Sequence, residues 1–141
     1  MATQDELKRI AAEKAVEFVP ENEYIGIGTG STINFFIEAL GKSGKKIKGA
    51  VSTSKKSSEL LAKYEIPEVS LNEVMGLAVY VDGADEVNHA LQMIKGGGGA
   101  HLNEKIVASA SDKFVCIADE SKYVSRLGKF PLPVEVVENA R

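Results

Sequence analysis

Apolar residues recur every three to four positions in two stretches near the N-terminus, and this period predicts two amphipathic helices. The apolar positions are Leu7, Ile10, Ala11, Ala15 and Phe18 in the first stretch, and Ile33, Phe36, Ile37 and Leu40 in the second. Thr3 and Glu6 have the spacing of a capping box before the first helix, which Pro20 is expected to end. Gly41 is expected to end the second helix.

Short apolar runs between polar loops predict the strands. They lie at residues 24–27, 47–51, 77–81 and 113–118, with a minor strand at 69–71, an ambiguous run at 91–94 and a further strand at 130–137. Two more helices are predicted, one from a Ser54 cap to about Tyr64 and one over residues 100–110. Strands that alternate with helices favour right-handed βαβ units, so the expected fold is α/β with a mainly parallel sheet.

The loops that follow four predicted strands carry the chemically informative residues. These loops begin at Gly28, Thr53, Asp82 and Asp119. The carboxyl ends of parallel strands lie at one edge of a sheet, and ligands of open α/β sheets bind at that edge. Residues far apart in the sequence are therefore expected to meet in one cleft.

Composition narrows the function classes. The chain has 44% hydrophobic residues, 26% charged residues and a net charge of −3, without a basic stripe, so nucleic-acid binding is disfavoured. The N-terminus has no signal-peptide pattern, and no apolar run reaches membrane-spanning length. The single cysteine, Cys116, cannot form an internal disulfide and is predicted to be a buried strand thiol. We expect a soluble cytoplasmic protein without a membrane partner.

Three carboxylates, Asp82, Asp85 and Glu86, follow a predicted strand. The two residues between the aspartates are Gly83 and Ala84. Because these residues add little bulk, both aspartates are able to lean into one cleft. The alternative is a polar turn in which the aspartates accept hydrogen bonds from local amides. We favour a functional role for the pair.

A lysine, Lys95, precedes four consecutive glycines, residues 96–99. Such a run costs conformational entropy, and its use in an ordered chain is to let bare amides approach an anion. A flexible linker is the usual alternative, but this run lies between two apolar segments. Glu104 follows in the opening turn of a predicted helix. It is either a base beside these amides or a solvated carboxylate, since it points away from Leu102 and Ile106.

The loop at residues 28–32 is rich in glycine and hydroxyl groups and lies between a predicted strand and a helix. Exposed amides at a helix N-terminus form an anion cradle. The alternative, of equal weight, is an ordinary tight turn capped by Ser31 or Thr32. A dinucleotide fingerprint is disfavoured because the third glycine of that pattern is missing.

Isolated lysines and histidines complete the candidates. Lys122 lies after the last parallel strand, where it is able to reach a phosphate, and Lys8 in the first helix is a second candidate. A solvated side chain is the alternative for both, and is preferred for Lys8 on the sequence alone. His89 and His101 lack metal-ligand spacing, so both are predicted to be surface residues and no metal site is expected.

Six segments together resemble the ribose-5-phosphate isomerase family of the A type. They are residues 26–32, 80–86, 95–100, 104–108, 119–122 and 127–136. The resemblance spans essentially the whole chain, in order and with family spacing. It implies a Rossmann-like three-layer domain and isomerisation of D-ribose 5-phosphate and D-ribulose 5-phosphate without a metal or organic cofactor.

The resemblance also implies the site residues. Glu104 corresponds to the base that moves a proton between C2 and C1, and Asp82, Asp85 and Lys95 to groups that assist ring opening and proton transfer. The implied substrate contacts are Thr29, Gly30, Ser31, Thr32, Asp82, Gly83, Ala84, Asp85, Lys95, Gly96, Gly97 and Gly98, with Lys122 and Lys8 at the phosphate. A homodimer is the family's expected assembly.

Two kinds of departure from the family are present. His101 and Asn103 replace an apolar residue and an arginine that are more usual beside the base. Family members also continue beyond Arg141, so residues 1–128 are expected to form the catalytic domain and 129–141 the start of a truncated second lobe. Alternatives are a sugar-phosphate-binding module without turnover, an inactive remnant of the isomerase, and a transferase acting on coenzyme A esters, for which no acyl pocket is evident.

Overall fold

The computed structural model describes residues 3–136. The helices are α1 (Gln4–Val16), α2 (Ser31–Ser43), α3 (Lys55–Lys63) and α4 (His101–Ser109). The strands are β1 (Tyr24–Ile27), β2 (Gly49–Ser52), β3 (Val79–Gly83), β4 (Glu86–Val87), β5 (Met93–Ile94) and β6 (Phe114–Ile117). Single 3₁₀ turns lie at Leu71–Glu73 and Glu120–Lys122.

Four strands form a parallel sheet in the order β2-β1-β3-β6. Ile25 of β1 pairs with Ala50 on one side and with Val79 on the other, so β1 and β3 occupy the centre. The β4 and β5 strands pair antiparallel as a separate hairpin. The predicted mainly parallel α/β fold is confirmed, and the ambiguous run at 91–94 is resolved as part of this hairpin.

Helices cover both faces of the parallel sheet. On one face, Ile25, Ile27 and Val81 pack with buried side chains of α1, α2 and α3. On the other face, Tyr80 packs with Val107 of α4. Successive strand residues point to opposite faces, so this alternation produces the three-layer arrangement.

The N-terminal helix begins as predicted, but its buried face matches the prediction only in part. Thr3 and Glu6 form the predicted capping box. The buried face consists of Ala12, Ala15 and Val16; of the predicted positions Ala15 is buried, whereas Leu7, Ile10 and Phe18 are exposed. Small residues on the buried face let α1 pack closely against α2, and helical period by itself does not distinguish the two faces.

The end of α2 corrects a prediction. The helix continues past Gly41 to Ser43, and Gly44 ends it with a φ of 74° in the left-handed region. Gly41 has another purpose: a Cβ at this position would lie 2.7 Å from Tyr64 Cβ. Gly41 therefore makes room for α3 and does not end the helix. The predicted Ser54 cap of α3 is confirmed by its hydrogen bond from the Ser57 amide.

Two predicted strands are wrong. Residues 69–71 form no strand: Glu68 makes one isolated bridge to Ala50, and the chain then enters the first 3₁₀ turn. Residues 130–136 have no strand pairing either, while position 137 of that prediction lies outside the described residues. The proposed division at residue 128 stays a prediction.

Cys116 is exposed and not buried as predicted. It lies on β6, whose only sheet partner among residues 3–136 is β3. The apolar run around the cysteine therefore marks an edge strand rather than a central one. Within residues 3–136, no helix has the length and apolar character needed to cross a membrane.

Gly26 shows how closely α4 approaches the sheet, and this yields a stability prediction. A Cβ on Gly26 would lie 2.6 Å from Val107 Cγ1. We expect Gly26→Ala to destabilise the fold by about 1–3 kcal/mol through overpacking. Urea unfolding measures the effect. The matched control is Gly76→Ala, whose Cβ would make an ordinary 3.6 Å contact; equal unfolding midpoints for the two variants would contradict this account.

Candidate active site

The loops after β1 and β2 are joined by hydroxyl groups at the carboxyl edge of the sheet. Thr53 Oγ1 donates to the Ile27 carbonyl at 3.2 Å, and Ser57 Oγ donates to the Gly28 carbonyl at 2.7 Å. Thr29 Oγ1 donates to Ser54 Oγ at 2.7 Å. These bonds show that the first two of the four predicted loops meet at this edge, and they hold the 28–32 loop in place.

A buried carboxylate, Asp82, connects three segments at this edge. Its side chain is 1% exposed. Its Oδ1 accepts hydrogen bonds from the amides of Thr29 at 3.3 Å and Gly83 at 2.7 Å. Its Oδ2 accepts from the hydroxyl of Tyr80 and from Lys95 Nζ at 3.0 Å. Four donors therefore offset the cost of burying this charge.

The approach of Asp82 explains a glycine of the first loop. A Cβ on Gly28 would lie 1.9 Å from Asp82 Cγ. Gly28 and Gly26 lie on the same face of the strand, where Gly26 admits α4. The two glycines at positions 26 and 28 are therefore explained by packing, since Gly26 makes room for α4 and Gly28 makes room for Asp82.

Tyr80 supports Asp82 from inside the sheet and was missed by sequence reasoning. It lies two residues before Asp82 on β3, so both side chains point to the same face. Burial and the neighbouring Asp82 charge raise the pKa of the Tyr80 phenol, which keeps it a hydrogen-bond donor. The sequence does contain a signal for this contact: a tyrosine two residues before a carboxylate at the end of a strand lies on the same face and is able to donate to it.

Lys95 lies between the carboxylates. Its Nζ donates to Asp82 and to the Gly83 carbonyl at 2.6 Å, and it lies 3.7 Å from Glu104 Oε1. Its side chain is largely buried. This ammonium is thus held beside Glu104, where it is able to face a developing negative charge.

Glu104 is buried on α4, with 4% exposure. The solvated-surface alternative is therefore wrong: Leu102 and Ile106, which predicted a buried opposite face, are themselves exposed. Burial is the main reason that the pKa of Glu104 rises to about 7; the charge of Asp82 also raises it, while Lys95 opposes the rise. Within residues 3–136, Glu104 Oε1 accepts no hydrogen bond, so this atom is available to a proton.

The glycine run has an ordered conformation with distinct requirements. Gly96 and Gly99 have φ values of 93° and 87°, which favour glycine. At Gly97 a Cβ would lie 2.7 Å from Asp85 Oδ1, so there is no room for a side chain at this position. The Gly97 amide donates to Asp85 Oδ2 at 2.8 Å. Gly98 faces Thr29, with an ordinary 3.7 Å contact for a Cβ.

The opposite end of the site combines a helix N-terminus with lysines. Gly30 is the N-cap residue of α2, so neither Ser31 nor Thr32 caps the helix as one alternative expected. Glycine has no side chain to occupy the first-turn amides, which leaves them open to an anion. Lys8 Nζ donates to Ser31 Oγ at 2.9 Å, so this lysine lies at the loop.

Asp119 shapes the loop that carries Lys122. It accepts a hydrogen bond from the Ser121 amide at 2.8 Å and another from the Ser121 hydroxyl. Burial alone would raise the pKa of Asp119, but these hydrogen bonds and the charge of Lys122 lower it overall. Asp119 was identified from the sequence only as the start of a loop; its position after a strand resembles that of Asp82.

One cavity of about 150 Å³ collects the predicted site residues. It is lined by Lys8, Thr29, Gly30, Ser31, Thr32, Asp82, Gly83, Ala84, Asp85, Lys95, Gly96, Gly97, Gly98, Glu104 and Lys122. The carboxylates and Lys95 belong to the β3–α4 side, and the α2 N-terminus and the other lysines to the opposite side. The cavity therefore suits a small molecule with a reactive polar end and an anionic end.

Three other candidates lie elsewhere. Glu86 is buried and accepts hydrogen bonds from the backbone away from the cavity lining. His89 is exposed beside Tyr123, as a surface residue should be. His101 is half-buried against Gly96, which corrects its prediction as a surface residue. Within residues 3–136, no group of three His, Cys, Asp or Glu side chains is arranged to hold a metal.

The parallel α/β fold, with a polar cavity at the carboxyl edge of its sheet, defines the class of open α/β proteins. Within that class, the chain belongs to the ribose 5-phosphate isomerase A (phosphoriboisomerase A) family, whose model matches residues 49–141. The resemblance carried by the six sequence segments is thus confirmed.

Individual relatives agree with this assignment. The ribose-5-phosphate isomerase A of Neisseria meningitidis serogroup C is 94% identical over 141 residues, which cover 100% of this chain and 63% of the relative. A crystal structure of ribose 5 phosphate isomerase A from Neisseria gonorrhoeae has a TM-score of 0.96 and 93% identity, covering 99% of this chain and 62% of that one. The chain thus spans less than two thirds of the length of these relatives.

A third comparison is more distant in sequence. A D-ribose-5-phosphate isomerase solved in complex with phospho-erythronic acid has a TM-score of 0.85 and 40% identity. It covers 89% of this chain, and this chain covers 57% of it. The backbone is therefore retained at moderate identity.

The raised pKa of Glu104 predicts how stability depends on pH. The folded protein keeps a proton on Glu104 between its ordinary pKa of 4.5 and about 7, where the unfolded chain has lost it. Stability should therefore fall as pH rises through this window and level off above it. Glu104→Gln cannot lose a proton, so its free energy of unfolding should not show this fall. The difference between the variant and the parent should therefore grow in favour of the variant by on the order of 1–3 kcal/mol from the lower to the upper end of the window.

Urea unfolding at both ends of this pH range measures the difference. The matched control is Glu59→Gln, because Glu59 is an exposed carboxylate on α3, away from the cavity. A stability difference between Glu104→Gln and the parent that does not change with pH would contradict the raised pKa.

Proposed function

We propose that this chain binds a phosphorylated pentose in the cavity and interconverts D-ribose 5-phosphate and D-ribulose 5-phosphate. The observation that carries the proposal is the buried Glu104 carboxylate, with a pKa of about 7, at 3.7 Å from Lys95 Nζ. A base whose pKa lies near the working pH combines an adequate ionised fraction with adequate proton affinity. Membership of the isomerase family supports the substrate.

The chemistry is a net shift of protons within one molecule. Aldose and ketose have the same composition, so no electron acceptor is consumed. Glu104 removes the proton from C2 of the open-chain aldose, which leaves an enediolate. The carboxylic acid then returns the proton to C1, while a second proton moves between the two sugar oxygens. Glu104 ends the cycle ionised, as it began.

Stabilising the enediolate is the second requirement, because a base alone does not make a carbon acid reactive. Lys95 and the amides of Gly96 and Gly98 are the candidate donors on that side of the cavity, since the Gly97 amide is bonded to Asp85. A preorganised donor of this kind contributes about 2.7–4 kcal/mol to the transition state. Lys95 is preorganised by its bonds to Asp82 and the Gly83 carbonyl.

The two aspartates have different parts in this proposal. Asp82 is occupied by four donors, so its part is to orient Lys95 and the 28–32 loop rather than to exchange protons. Asp85 is less buried and lines the cavity, which suits ring opening and proton transfer at the sugar oxygens. This division refines the shared role that the family resemblance implies for both.

The phosphate is assigned to the other end of the cavity. The first turn of α2 offers amides, and Ser31 and Thr32 offer hydroxyls. Lys8 is fixed at this loop by its bond to Ser31, and Lys122 lines the same cavity. Two ammonium groups and a helix N-terminus match a dianion.

Assembly and location complete the proposal. We propose a homodimer on the basis of the family resemblance, and a cytoplasmic location because the single cysteine fits a reducing compartment. Light scattering of the purified chain tests the dimer, and a monomeric mass would contradict it.

Glu104→Gln tests the base. The amide keeps the shape of the side chain but accepts no proton, so kcat should fall at least about 100-fold with little change in KM. A coupled isomerase assay on the purified chain measures both constants, and Glu59→Gln serves as the exposed control. An unchanged kcat would remove Glu104 from the role of base.

Lys122→Ala tests the phosphate contact. This contact persists from the ground state to the transition state, so KM should rise about ten-fold or more while kcat changes little. Lys56→Ala, a change of an exposed lysine on α3, is the control. A fall in kcat alone would contradict the assignment.

Binding separates the proposal from its alternatives. The phosphorylated sugar acid named for the distant relative, phospho-erythronic acid, is a probe that does not turn over. Binding of this acid together with isomerase activity supports the proposal. Binding without activity would favour a binding module or an inactive remnant, and absence of both would reject the site.

A further inference from the structure

A second buried carboxylate, Glu86, is not used by the proposed chemistry. It lies on β4 and is 4% exposed. Its Oε1 accepts a hydrogen bond from the Gly128 amide at 3.0 Å, and its Oε2 accepts one from the Phe130 amide at 3.0 Å. Both carboxylate oxygens thus hold one short piece of irregular chain.

That piece of chain lies against the glycine run of the cavity. A Cβ on Gly97 would lie 2.9 Å from Phe130 Cζ, so the phenyl ring packs directly on Gly97. The same Cβ would lie 2.7 Å from Asp85 Oδ1, and the Gly97 amide donates to Asp85 Oδ2 at 2.8 Å. Phe130 and Asp85, a residue of the cavity wall, therefore both contact Gly97 where a side chain would otherwise be.

The same segment is attached at its far end to the helix that carries Glu104. The Glu135 carboxylate accepts a hydrogen bond from the Leu102 amide in the first turn of α4. The N-cap residue of this helix is Ala100, whose side chain offers no acceptor. Glu135 thus provides the carboxylate that stabilises a helix N-terminus. We call residues 128–135 the strap.

We propose that Glu86 is a positioning residue: by holding the strap, it keeps Phe130 on Gly97 and fixes the glycine wall of the cavity. Glu135 anchors the strap on α4. The contacts are independent of any ligand, but the benefit to binding rests on the proposed function. Two oxygens that accept from two backbone amides explain the residue type, because a glutamine would face one of these amides with an NH₂ group and remove its acceptor.

Residue-resolved amide hydrogen exchange on the 141-residue chain tests this inference without a ligand. In Glu86→Gln, exchange should become about five- to ten-fold faster at Gly128 and Phe130, and also at Gly97, which Glu86 does not touch. The amides of the central strand β1 should keep their protection. Glu59→Gln should leave all of these amides unchanged. Faster exchange at Gly128 and Phe130 with unchanged exchange at Gly97 would overturn the proposal.

A second pair of variants decides the matter if Glu86→Gln loses protection everywhere. Phe130→Ala removes the ring but leaves the Glu86 hydrogen bonds, so only Gly97 should exchange faster. Phe130→Leu restores an apolar side chain on Gly97 and should recover most of the protection. Equal protection at Gly97 in the alanine, leucine and parent proteins would overturn the proposal.

Ligand binding connects the strap to the cavity. Phospho-erythronic acid should bind Phe130→Ala at least about five-fold more weakly than it binds the parent, with Phe130→Leu in between. If Gly97 exchanges faster while this affinity is unchanged, the strap does not position the binding wall and the inference fails. If the parent itself does not bind the acid, the proposed function fails, and the exchange pattern still decides whether the strap holds Gly97.

Discussion

The carboxylate of Asp82 receives hydrogen bonds from Thr29, Gly83, Tyr80 and Lys95, and the geometry of the cavity depends on these four bonds. A buried carboxylate without such donors would be costly, so the surrounding segments are restricted to positions from which they reach it. The 28–32 loop is tied to β3 in this way, and the ammonium of Lys95 is held next to α4. The absence of a side chain at Gly28 is part of the same constraint, since any Cβ there would occupy the place of the Asp82 carboxyl group.

Burying several ionisable groups together also sets their proton affinities. Among the three groups Asp82, Lys95 and Glu104, Lys95 is the cation, and its ammonium faces both carboxylates. Asp82 has four hydrogen-bond donors that offset the cost of burying its charge. Glu104 lacks such a set, so burial and the nearby Asp82 charge raise its pKa to about 7. The same burial that reduces folding stability at neutral pH gives the proposed base a useful proton affinity.

The cavity wall beside Asp85 and Lys95 is built from chain that has little regular structure. The glycine run can lie against Asp85 because Gly97 has no side chain, and Phe130 of the strap contacts the same glycine. Glu86 accepts from two amides that lie outside helices and strands, and Glu135 accepts from a first-turn amide of α4 that has no partner within the helix. Carboxylates thus fix three parts of the structure. Asp82 holds Lys95, Asp85 holds the glycine run, and Glu86 and Glu135 hold the strap.

Local pattern determined the alternation of strands and helices, the capping box at Thr3 and Glu6, and the clustering of loop residues at one sheet edge. These features depend on backbone period and on parallel pairing, both of which are visible along the chain. The family resemblance identified the residues that line the cavity, because the spacing of motifs can be recognised in a sequence without knowing how the side chains pack. The apolar positions predicted for α2 are the buried ones, but only the tertiary structure decided which side of α1 and α4 is buried. It places Glu104 inside and Cys116 on the last strand of the sheet formed by residues 3–136, because burial depends on which neighbours a strand or helix meets and not on its own period.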